Sequence, residues 1–249
     1  MIFDIVSFFD STFLKTKEHA GLTEDEYLNL IESFVLEAIH YNFKLVMIRA
    51  NYIVFAKEII SKNKSNLLVG TVVDFPDGTS STKSKLDEIK IAINLGANEI
   101  DVVIDYMRFK KGDNNYIANQ VKKCTNLCFS HNKTIKWIIE SAALSDNEII
   151  GICELIKNIV LDNFNENNFG NIFIKSSTGY YNCPHSKPNG ATISAIKLMV
   201  KHSLPLAVKA SGGVRSIKDF NQMIALGVKR IGTSSALSIL NGKQSYSKY

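Results

Sequence analysis

The segments NIFIKSS (residues 171–177), ISAIKLMVKH (residues 193–202) and PLAVKAS (residues 205–211) decide the fold class of this chain. The first and third are short runs of strand length, whereas the second carries its apolar residues at the three- and four-residue spacing of a helix. A strand, a helix and a second strand in this order predict two parallel strands joined by a crossover helix.

The same alternation runs through the whole chain of 249 residues. Helical spacing occurs at residues 24–40, 83–94, 147–160, 193–202 and 217–225. Thr23 precedes an acidic first turn, which predicts that it is the N-cap of the first of these helices. Strand-like runs occur at residues 5–9, 44–48, 66–74, 99–105, 135–141, 171–177, 205–211 and 230–234. Eight repeats in about 250 residues favour a closed barrel over an open doubly wound sheet. We therefore predict an α/β fold, a single-domain (β/α)8 TIM barrel over residues 1–249, with a mobile tail at residues 241–249.

Composition and charge argue against several classes of partner. The net charge of +5 is spread over scattered lysines and arginines, whereas a nucleic-acid-binding protein concentrates them on one face. No apolar run reaches the roughly 18 residues of a membrane span. Asp4 and Asp10 interrupt the N-terminal apolar stretch, which is untypical of a signal peptide. We expect a cytoplasmic protein with no nucleic-acid partner and no membrane partner.

The four cysteines give no reason to expect a metal. Cys124 and Cys128 are four residues apart in a segment with helical spacing, but no second Cys or His pair stands at the spacing of a zinc site. We expect reduced, structural cysteines.

Period-two alternation along the strands predicts which side chains point into the barrel. The inward set contains Asp101, Lys136, Glu140, Lys175 and Lys209. Burial and a neighbouring ammonium both lower the pKa of a lysine, and attack on a carbonyl requires a neutral amine. The pattern alone leaves two interpretations open: the lysines are catalytic, or they form a structural ion-pair network with the two carboxylates.

Three glycine- and serine-containing segments end or follow the predicted sixth, seventh and eighth strands, at residues 176–179, 211–215 and 232–235. Barrels of this type often hold a phosphate group with the loops after their last strands. Glycine exposes backbone N–H groups and serine adds hydroxyl donors, and both favour an anion. Because the chain has no nucleotide-binding glycine motif, these segments predict a small phosphorylated substrate.

Seven motifs spread over nearly the whole chain resemble those of the deoxyribose-phosphate aldolase family. They are FDST (9–12), DFPDG (74–78), GANEIDVVI (96–104), IIE (138–140), FIKSSTG (173–179), VKASGGVR (208–215) and RIGTSS (230–235). The resemblance implies a class I aldolase that uses a lysine Schiff base, without a metal or other cofactor. The implied reaction is the reversible cleavage of 2-deoxy-D-ribose 5-phosphate to D-glyceraldehyde 3-phosphate and acetaldehyde.

The resemblance also implies roles for individual residues. Lys175 matches the Schiff-base lysine, Lys209 the second lysine that lowers its pKa, and Asp101 the carboxylate that works with a water as acid and base. Supporting members of the same polar network are implied at Asp10 and Lys136, and a C-terminal tyrosine that assists proton exchange at Tyr249 or the nearby Tyr246. The phosphate cradle is implied at Gly179, Gly212, Gly213, Val214, Arg215, Gly232, Ser234 and Ser235.

The sequence departs from the family pattern at three places. Met47 stands where the family usually has Cys, Tyr180 stands where some members have a phosphate-contacting Lys, and the loop at residues 180–189 is longer. These departures bear on pocket shape and phosphate affinity. Two other interpretations therefore stay open: a lysine-dependent aldolase for another sugar phosphate, and a non-catalytic barrel that binds a sugar phosphate. A homodimer is one assembly that the resemblance allows.

Overall fold

A closed barrel of eight parallel strands forms the centre of the molecule. The computed structural model describes residues 5–183 and 189–243. The strands are β1 Phe9–Phe13, β2 Leu45–Ile48, β3 Leu68–Val73, β4 Glu99–Val103, β5 Thr134–Ile138, β6 Ile172–Lys175, β7 Ala207–Ser211 and β8 Arg230–Thr233. Each strand pairs with its neighbours in sequence, and β8 closes the barrel on β1. The predicted (β/α)8 TIM barrel is confirmed.

Helices connect the strands. The α-helices of the described ranges are α1 Lys17–Ala20, α2 Glu24–His40, α3 Ile53–Lys62, α4 Thr82–Asn94, α5 Tyr106–Lys110, α6 Asn114–Ser130, α7 Asp146–Asn163, α8 Ile193–Ser203, α9 Ile217–Ala225 and α10 Ala236–Leu240. Short 3-10 helices lie at Ile5–Phe8, Ala50–Tyr52, Ser141–Ala143 and Glu166–Asn171. Within residues 5–183 and 189–243, none of the helices combines the length and the hydropathy needed to cross a bilayer.

The predicted N-cap of α2 is confirmed, and it shows how local sequence places a helix. The side-chain oxygen of Thr23 accepts a hydrogen bond from Glu26 N, and the Glu26 carboxylate accepts one from Thr23 N at 2.8 Å. This reciprocal pair satisfies two backbone donors that the first turn leaves without helical partners. The helix therefore begins at Glu24, as the sequence predicts.

The prediction for the first strand is wrong. Residues 5–8 form a 3-10 helix, and the strand begins at Phe9. The apolar residues of that helix are only partly buried against the core, whereas the polar side chains of Asp10, Ser11 and Thr12 are buried in the strand. A short buried run with polar side chains has the sequence pattern of a loop, which is why apolar periodicity misplaced it.

Two environments alternate along the strands. Ile100, Val102, Ile174 and Val208 belong to one continuous apolar cluster that also contains helix residues such as Ile152. Their neighbours on the same strands point the other way, into the barrel. The predicted outward set is thus confirmed for β4, β6 and β7, and packing against the helices fixes which residues face the interior.

The loop after β3 approaches the end of β4 so closely that it requires glycine. Gly78 has a φ of 71°, and a Cβ there would lie 2.6 Å from the carbonyl oxygen of Ile104. Gly112 has a similar φ of 80°, but a Cβ there would meet no atom within 4 Å. Alanine at Gly112 would therefore incur only the cost of a positive φ, whereas alanine at Gly78 would add a steric clash to that cost.

We predict that Gly78→Ala lowers the free energy of unfolding by about 2 kcal/mol or more beyond the loss in Gly112→Ala, because overpacking adds to the shared cost of a positive φ. Urea denaturation of the two variants measures the difference. Equal losses would show that the loop moves away from β4 at little cost.

Candidate active site

Seven ionisable side chains are buried together inside the barrel. They are Asp10, Glu99, Asp101, Lys136, Lys175, Lys209 and Arg230. Burial of a charge costs several kcal/mol unless opposite charges and hydrogen bonds compensate it. Four basic groups face three carboxylates, so the fully ionised network carries one excess positive charge. Release of one proton would bring the network to neutrality.

Asp101 is the centre of this network. Its Oδ1 accepts a hydrogen bond from Lys136 Nζ at 2.9 Å, and its Oδ2 accepts from Lys175 Nζ at 2.9 Å and from Lys209 Nζ at 2.8 Å. Burial acts to raise the pKa of Asp101, but the positive charges of the three lysines outweigh it and hold the pKa well below its ordinary value. Asp101 is therefore a carboxylate that joins all three lysines.

Lys136 is the most strongly paired of the lysines. Its Nζ lies 3.2 Å from Asp10 Oδ2, 2.6 Å from Glu99 Oε2 and 2.9 Å from Asp101 Oδ1. Burial acts to lower the pKa of Lys136, but the three carboxylates raise it above its ordinary value. Lys136 therefore stays protonated, and its positive charge compensates the buried carboxylates around it.

Glu99 and Arg230 complete the network, and the sequence analysis did not single them out. Arg230 Nη2 donates to both carboxylate oxygens of Glu99, and Arg230 Nε lies 3.3 Å from Asp10 Oδ1. Glu99 stands two residues before Asp101 on β4 and therefore shares its face. The same period-two alternation, applied to every charged residue of the strand, predicts that Glu99 points into the barrel.

Lys175 is the lysine with the weakest pairing. Asp101 is the one carboxylate within 4 Å of its Nζ among the described residues. Burial lowers the pKa of Lys175, Asp101 raises it, and the charge of Lys209 lowers it again, so the pKa is about 8. About a tenth of a group with this pKa is neutral at pH 7. Lys175 is therefore the group from which the network releases its excess proton most readily.

Lys209 lies against two of the three carboxylates that contact Lys136. Its Nζ is 2.5 Å from Asp10 Oδ2 and 2.8 Å from Asp101 Oδ2. Gly232, predicted as part of the phosphate cradle, makes room for it, because a Cβ at Gly232 would lie 2.8 Å from Lys209 Cε. The structure thus places Gly232 beside the lysine side chain.

Three glycines meet where the loops after β6 and β7 leave the barrel. A Cβ on Gly212 would lie 2.9 Å from the Cα of Gly190 and 3.6 Å from the Cα of Gly179. Gly213, which follows, also has a positive φ of 82°. The structure therefore brings the predicted residues Gly179 and Gly212 together and adds Gly190, for which the sequence offered no signal beyond a glycine in a loop.

The remaining predicted cradle residues lie on the loops after β7 and β8. Val214 is buried in the apolar core, and its carbonyl oxygen accepts from Thr233 Oγ1 at 2.7 Å. Ser235 is buried, and its N–H donates to the same Thr233 hydroxyl at 3.0 Å. Arg215 N donates to the Asp219 carboxylate at 3.1 Å. The Thr233 hydroxyl thus connects the loop after β7 to the loop after β8. Ser234 is exposed beside them.

Glu140 is not part of the lysine network, so the expectation that it faces the lysines is wrong. Strand β5 ends at Ile138, and Glu140 has a left-handed backbone with a φ of 51°. Its carboxylate accepts hydrogen bonds from Ser177 and Thr178 on the loop after β6. A strand that ends early breaks the period-two alternation on which the expectation depended.

The two residues that depart from the family pattern lie in an apolar cluster. Met47 is fully buried with Leu45, and Phe75 and Tyr180 pack against this cluster. The ring centroids of Phe75 and Tyr180 are 5.1 Å apart in an edge-on arrangement. Tyr180 thus joins the loop after β6 to the loop after β3. Tyr249 and Tyr246 lie outside the described residues.

A cleft of about 680 Å³ opens near the ends of β2 and β3. Its basic lining residues are Lys17 and Arg49, and its acidic lining residues are Glu18, Glu24, Asp74 and Glu88. The excess of acidic groups disfavours a phosphate at this cleft.

The model of the family described as DeoC/LacD family aldolase matches residues 15–248. The chain belongs to this aldolase family. The deoxyribose-phosphate aldolase of Metamycoplasma hominis is 38% identical over 211 residues, which are 84% of this chain and 88% of that protein. The deoxyribose-phosphate aldolase of Mycoplasmopsis pulmonis is 34% identical over 228 residues, 91% of this chain and 94% of that protein.

A solved structure supports the same DeoC/LacD membership. The deoxyribose phosphate aldolase of Aeropyrum pernix superposes with a TM-score of 0.74 at 25% identity, over 95% of this chain and 89% of that one. That structure is described as tetrameric. A Schiff-base mechanism is general to the family, and a buried lysine with a lowered pKa is the group that such a mechanism requires.

We predict opposite effects on stability for two lysines of the network. Lys136→Met removes the one ammonium group that contacts Asp10, Glu99 and Asp101 at once and leaves a buried apolar side chain among them, so the free energy of unfolding should fall by about 3–5 kcal/mol. Lys175→Met removes the excess charge and leaves Asp101 paired with two lysines, so stability should stay within about 1 kcal/mol or rise. Urea denaturation at pH 7 compares the variants, and similar losses for both would contradict this division of roles.

Proposed function

We propose that this aldolase cleaves 2-deoxy-D-ribose 5-phosphate reversibly to D-glyceraldehyde 3-phosphate and acetaldehyde, with Lys175 as the Schiff-base residue. The observation that carries the proposal is the Lys175 amine, buried 2.9 Å from Asp101 Oδ2 with a pKa of about 8. The two relatives named deoxyribose-phosphate aldolase, at 34% and 38% identity over most of the chain, support the choice of substrate.

The first chemical step is attack of the neutral Lys175 amine on the aldehyde carbon C1. The resulting carbinolamine takes up a proton on its hydroxyl and loses water, which leaves an iminium ion on Lys175. Asp101 Oδ2 accepts hydrogen bonds from both Lys175 and Lys209. The carboxylate can therefore take the amine proton while Lys209 supplies the proton that leaves with the water.

Bond cleavage follows from the iminium ion. Loss of the proton from the C3 hydroxyl breaks the C2–C3 bond and releases D-glyceraldehyde 3-phosphate, and the electron pair of that bond becomes an enamine. Protonation of C2 and addition of water then release acetaldehyde and restore the amine. The water lost in the first step is regained here, so the net reaction is cleavage alone. The ammonium groups of Lys136 and Lys209 favour the neutral enamine over the positively charged iminium ion, because like charges repel.

The phosphate group is assigned to the loops that follow β6, β7 and β8. The proposal places it at Gly179, Gly212, Gly213, Val214, Arg215, Gly232, Ser234 and Ser235. The close approach of Gly179 and Gly212 supports this, because glycine lets an anion reach the backbone N–H groups. Gly232 also leaves room for the side chain of Lys209.

Four further features stay predictions of the sequence. They are a cytoplasmic location, a homodimer, a single domain with a mobile tail at residues 241–249, and a part for Tyr249 in proton exchange at the enamine. The last of these is tested by comparing the rates at which the wild type and the Tyr249→Phe variant exchange the C2 protons.

We predict that acetaldehyde and borohydride attach an ethyl group irreversibly to Lys175. Mass spectrometry of the digested protein locates the adduct. The control is Lys175→Arg, which keeps the positive charge but has a pKa too high for Schiff-base formation, and it should show no adduct in the barrel. Equal labelling of wild type and variant would overturn the role of Lys175.

Substrate choice is tested by release of D-glyceraldehyde 3-phosphate from 2-deoxy-D-ribose 5-phosphate, beside a panel of other sugar phosphates that includes fructose 1,6-bisphosphate. Turnover of another sugar phosphate alone would indicate a different lysine-dependent aldolase. Binding without turnover would indicate a sugar-phosphate-binding barrel.

We predict that the trapping rate rises with pH and levels off above a pKa of about 8, because the protonated amine below that pKa has no electron pair for attack. Lys209→Met removes a charge that lowers this pKa, so the inflection should move to higher pH. The pH profiles of acetaldehyde trapping measure both. An unchanged inflection in the variant would remove Lys209 from the control of Lys175.

A further inference from the structure

Glu140 is a buried carboxylate outside the lysine network, and its backbone is held in the left-handed region at a φ of 51° and a ψ of 63°. Such a conformation costs a residue other than glycine about 1 kcal/mol or more, and it persists where its surroundings impose it. Strained residues of this kind cluster at functional sites. The contacts of Glu140 show which interactions this backbone conformation makes possible.

The backbone around Glu140 forms a bulge between β5 and β6. Ile139 N donates to Lys175 O at 3.0 Å, and Ser141 N donates to Ser176 O at 2.7 Å. The two donors are two residues apart, whereas the two acceptors are adjacent in sequence. Glu140 is therefore the extra residue on its side of the pair, and the bulge aims its side chain at the end of β6.

Three donors from the loop after β6 satisfy the carboxylate of Glu140. Oε1 accepts from Ser177 Oγ at 2.5 Å. Oε2 accepts from Thr178 N at 3.1 Å and from the Thr178 hydroxyl. Hydrogen bonds to a charged acceptor are about twice as strong as neutral ones. The carboxylate therefore fixes both the backbone and the hydroxyls of two residues that follow Lys175 closely.

The same two hydroxyls hold the turn that comes next. Gly179 N donates to Ser177 Oγ at 3.1 Å, and Tyr180 N donates to Thr178 Oγ1 at 3.0 Å. Each hydroxyl accepts from the backbone two residues ahead and donates its own proton to Glu140. The carboxylate thus fixes the direction of both hydroxyls, and through them the path of residues 177–180.

We propose that Glu140 is a positioning residue for the phosphate of the substrate, acting through the Ser177 and Thr178 hydroxyls on the turn that carries Gly179. The proposal rests on the proposed function, because it takes the loop after β6 as part of the phosphate site. A cradle of backbone groups holds an anion well only if its geometry is fixed to about half an ångström. The bonds of Glu140 go to the turn and not to the lysines, so its removal should weaken phosphate recognition while the amine chemistry continues.

The test is Glu140→Gln. Glutamine has the same size, but its single oxygen can accept at most two of the three hydrogen bonds. The readout is the phosphate preference, the ratio of kcat/KM for 2-deoxy-D-ribose 5-phosphate to kcat/KM for 2-deoxy-D-ribose. We expect this ratio to fall about tenfold through a higher KM, which corresponds to about 1.4 kcal/mol. Trapping of acetaldehyde on Lys175 by borohydride should change less than about twofold.

The matched control is Glu148→Gln. The Glu148 carboxylate also accepts from a hydroxyl and a backbone N–H, those of Ser145, but it caps α7. This variant should keep the wild-type phosphate preference. Ser177→Ala removes one partner of Glu140, so the double variant with Glu140→Gln should lose less phosphate preference than the sum of the single losses.

A second readout does not depend on turnover. The dissociation constant of inorganic phosphate, measured by calorimetry, should rise in Glu140→Gln by about the same factor as the phosphate preference falls. If the wild type turns over neither sugar, the proposed function fails, and phosphate affinity still decides the role of Glu140. Equal losses for both sugars, a matching loss of acetaldehyde trapping, or an unchanged phosphate affinity would each overturn the proposal.

Discussion

The contact on which the site depends is the carboxylate of Asp101 shared by three lysines. Two of them bond to one oxygen, Lys175 at 2.9 Å and Lys209 at 2.8 Å, and the third bonds to the other oxygen. A single carboxylate cannot neutralise three ammonium groups in a buried site. Burial and the charge of Lys209 therefore outweigh Asp101 and lower the pKa of the lysine that has no other carboxylate partner, which is Lys175.

The barrel makes this arrangement possible because it brings four successive strands around one point. In the strand register, Asp101 lies beside Lys136 and Lys175 lies beside Lys209. The first pair and the second pair stand at different heights, and the long lysine side chains bridge that difference. Helices cover the outward faces of the same strands, so the apolar core holds the register that the ionic network needs.

Lys175 and the turn that we propose for the phosphate follow each other in sequence, but different contacts fix them. Lys175 ends β6 and takes its electrostatic environment from the barrel interior. The following turn takes its shape from Glu140, a residue of the neighbouring loop. An aldolase built in this way can vary in phosphate affinity while its lysine network stays constant. Tyr180, which packs on Phe75, stands at the end of that turn.

Much of the fold and part of the site could be predicted from the sequence, because they depend on local periodicity. Alternating apolar residues placed Asp101, Lys175 and Lys209 on the inner face, since the outward residues of their strands pack against helices. The start of β1 was misplaced because the polar side chains of that strand are buried by partners far away in sequence, such as Lys209 for Asp10.

Long-range contacts limited the rest of the prediction. Glu140 was assigned to the wrong partners because β5 ends before it and a bulge reverses its direction. The contact of Gly190 with Gly212 joins two loops, and no local pattern predicts such a contact. The net charge of the buried network also depends on Arg230. Its ion pairs with Asp10 and Glu99 form between strands that are far apart in sequence, so local patterns do not predict them.

The protonation of Lys175 itself tests the central claim most directly. NMR of the protein labelled with 13C at the lysine Cε positions follows each amine through a pH titration, and Lys175→Arg identifies the signal. The account predicts one buried lysine that titrates near pH 8 and is absent from the variant. A Lys175 signal that titrates at its ordinary value, above about pH 10, would contradict it.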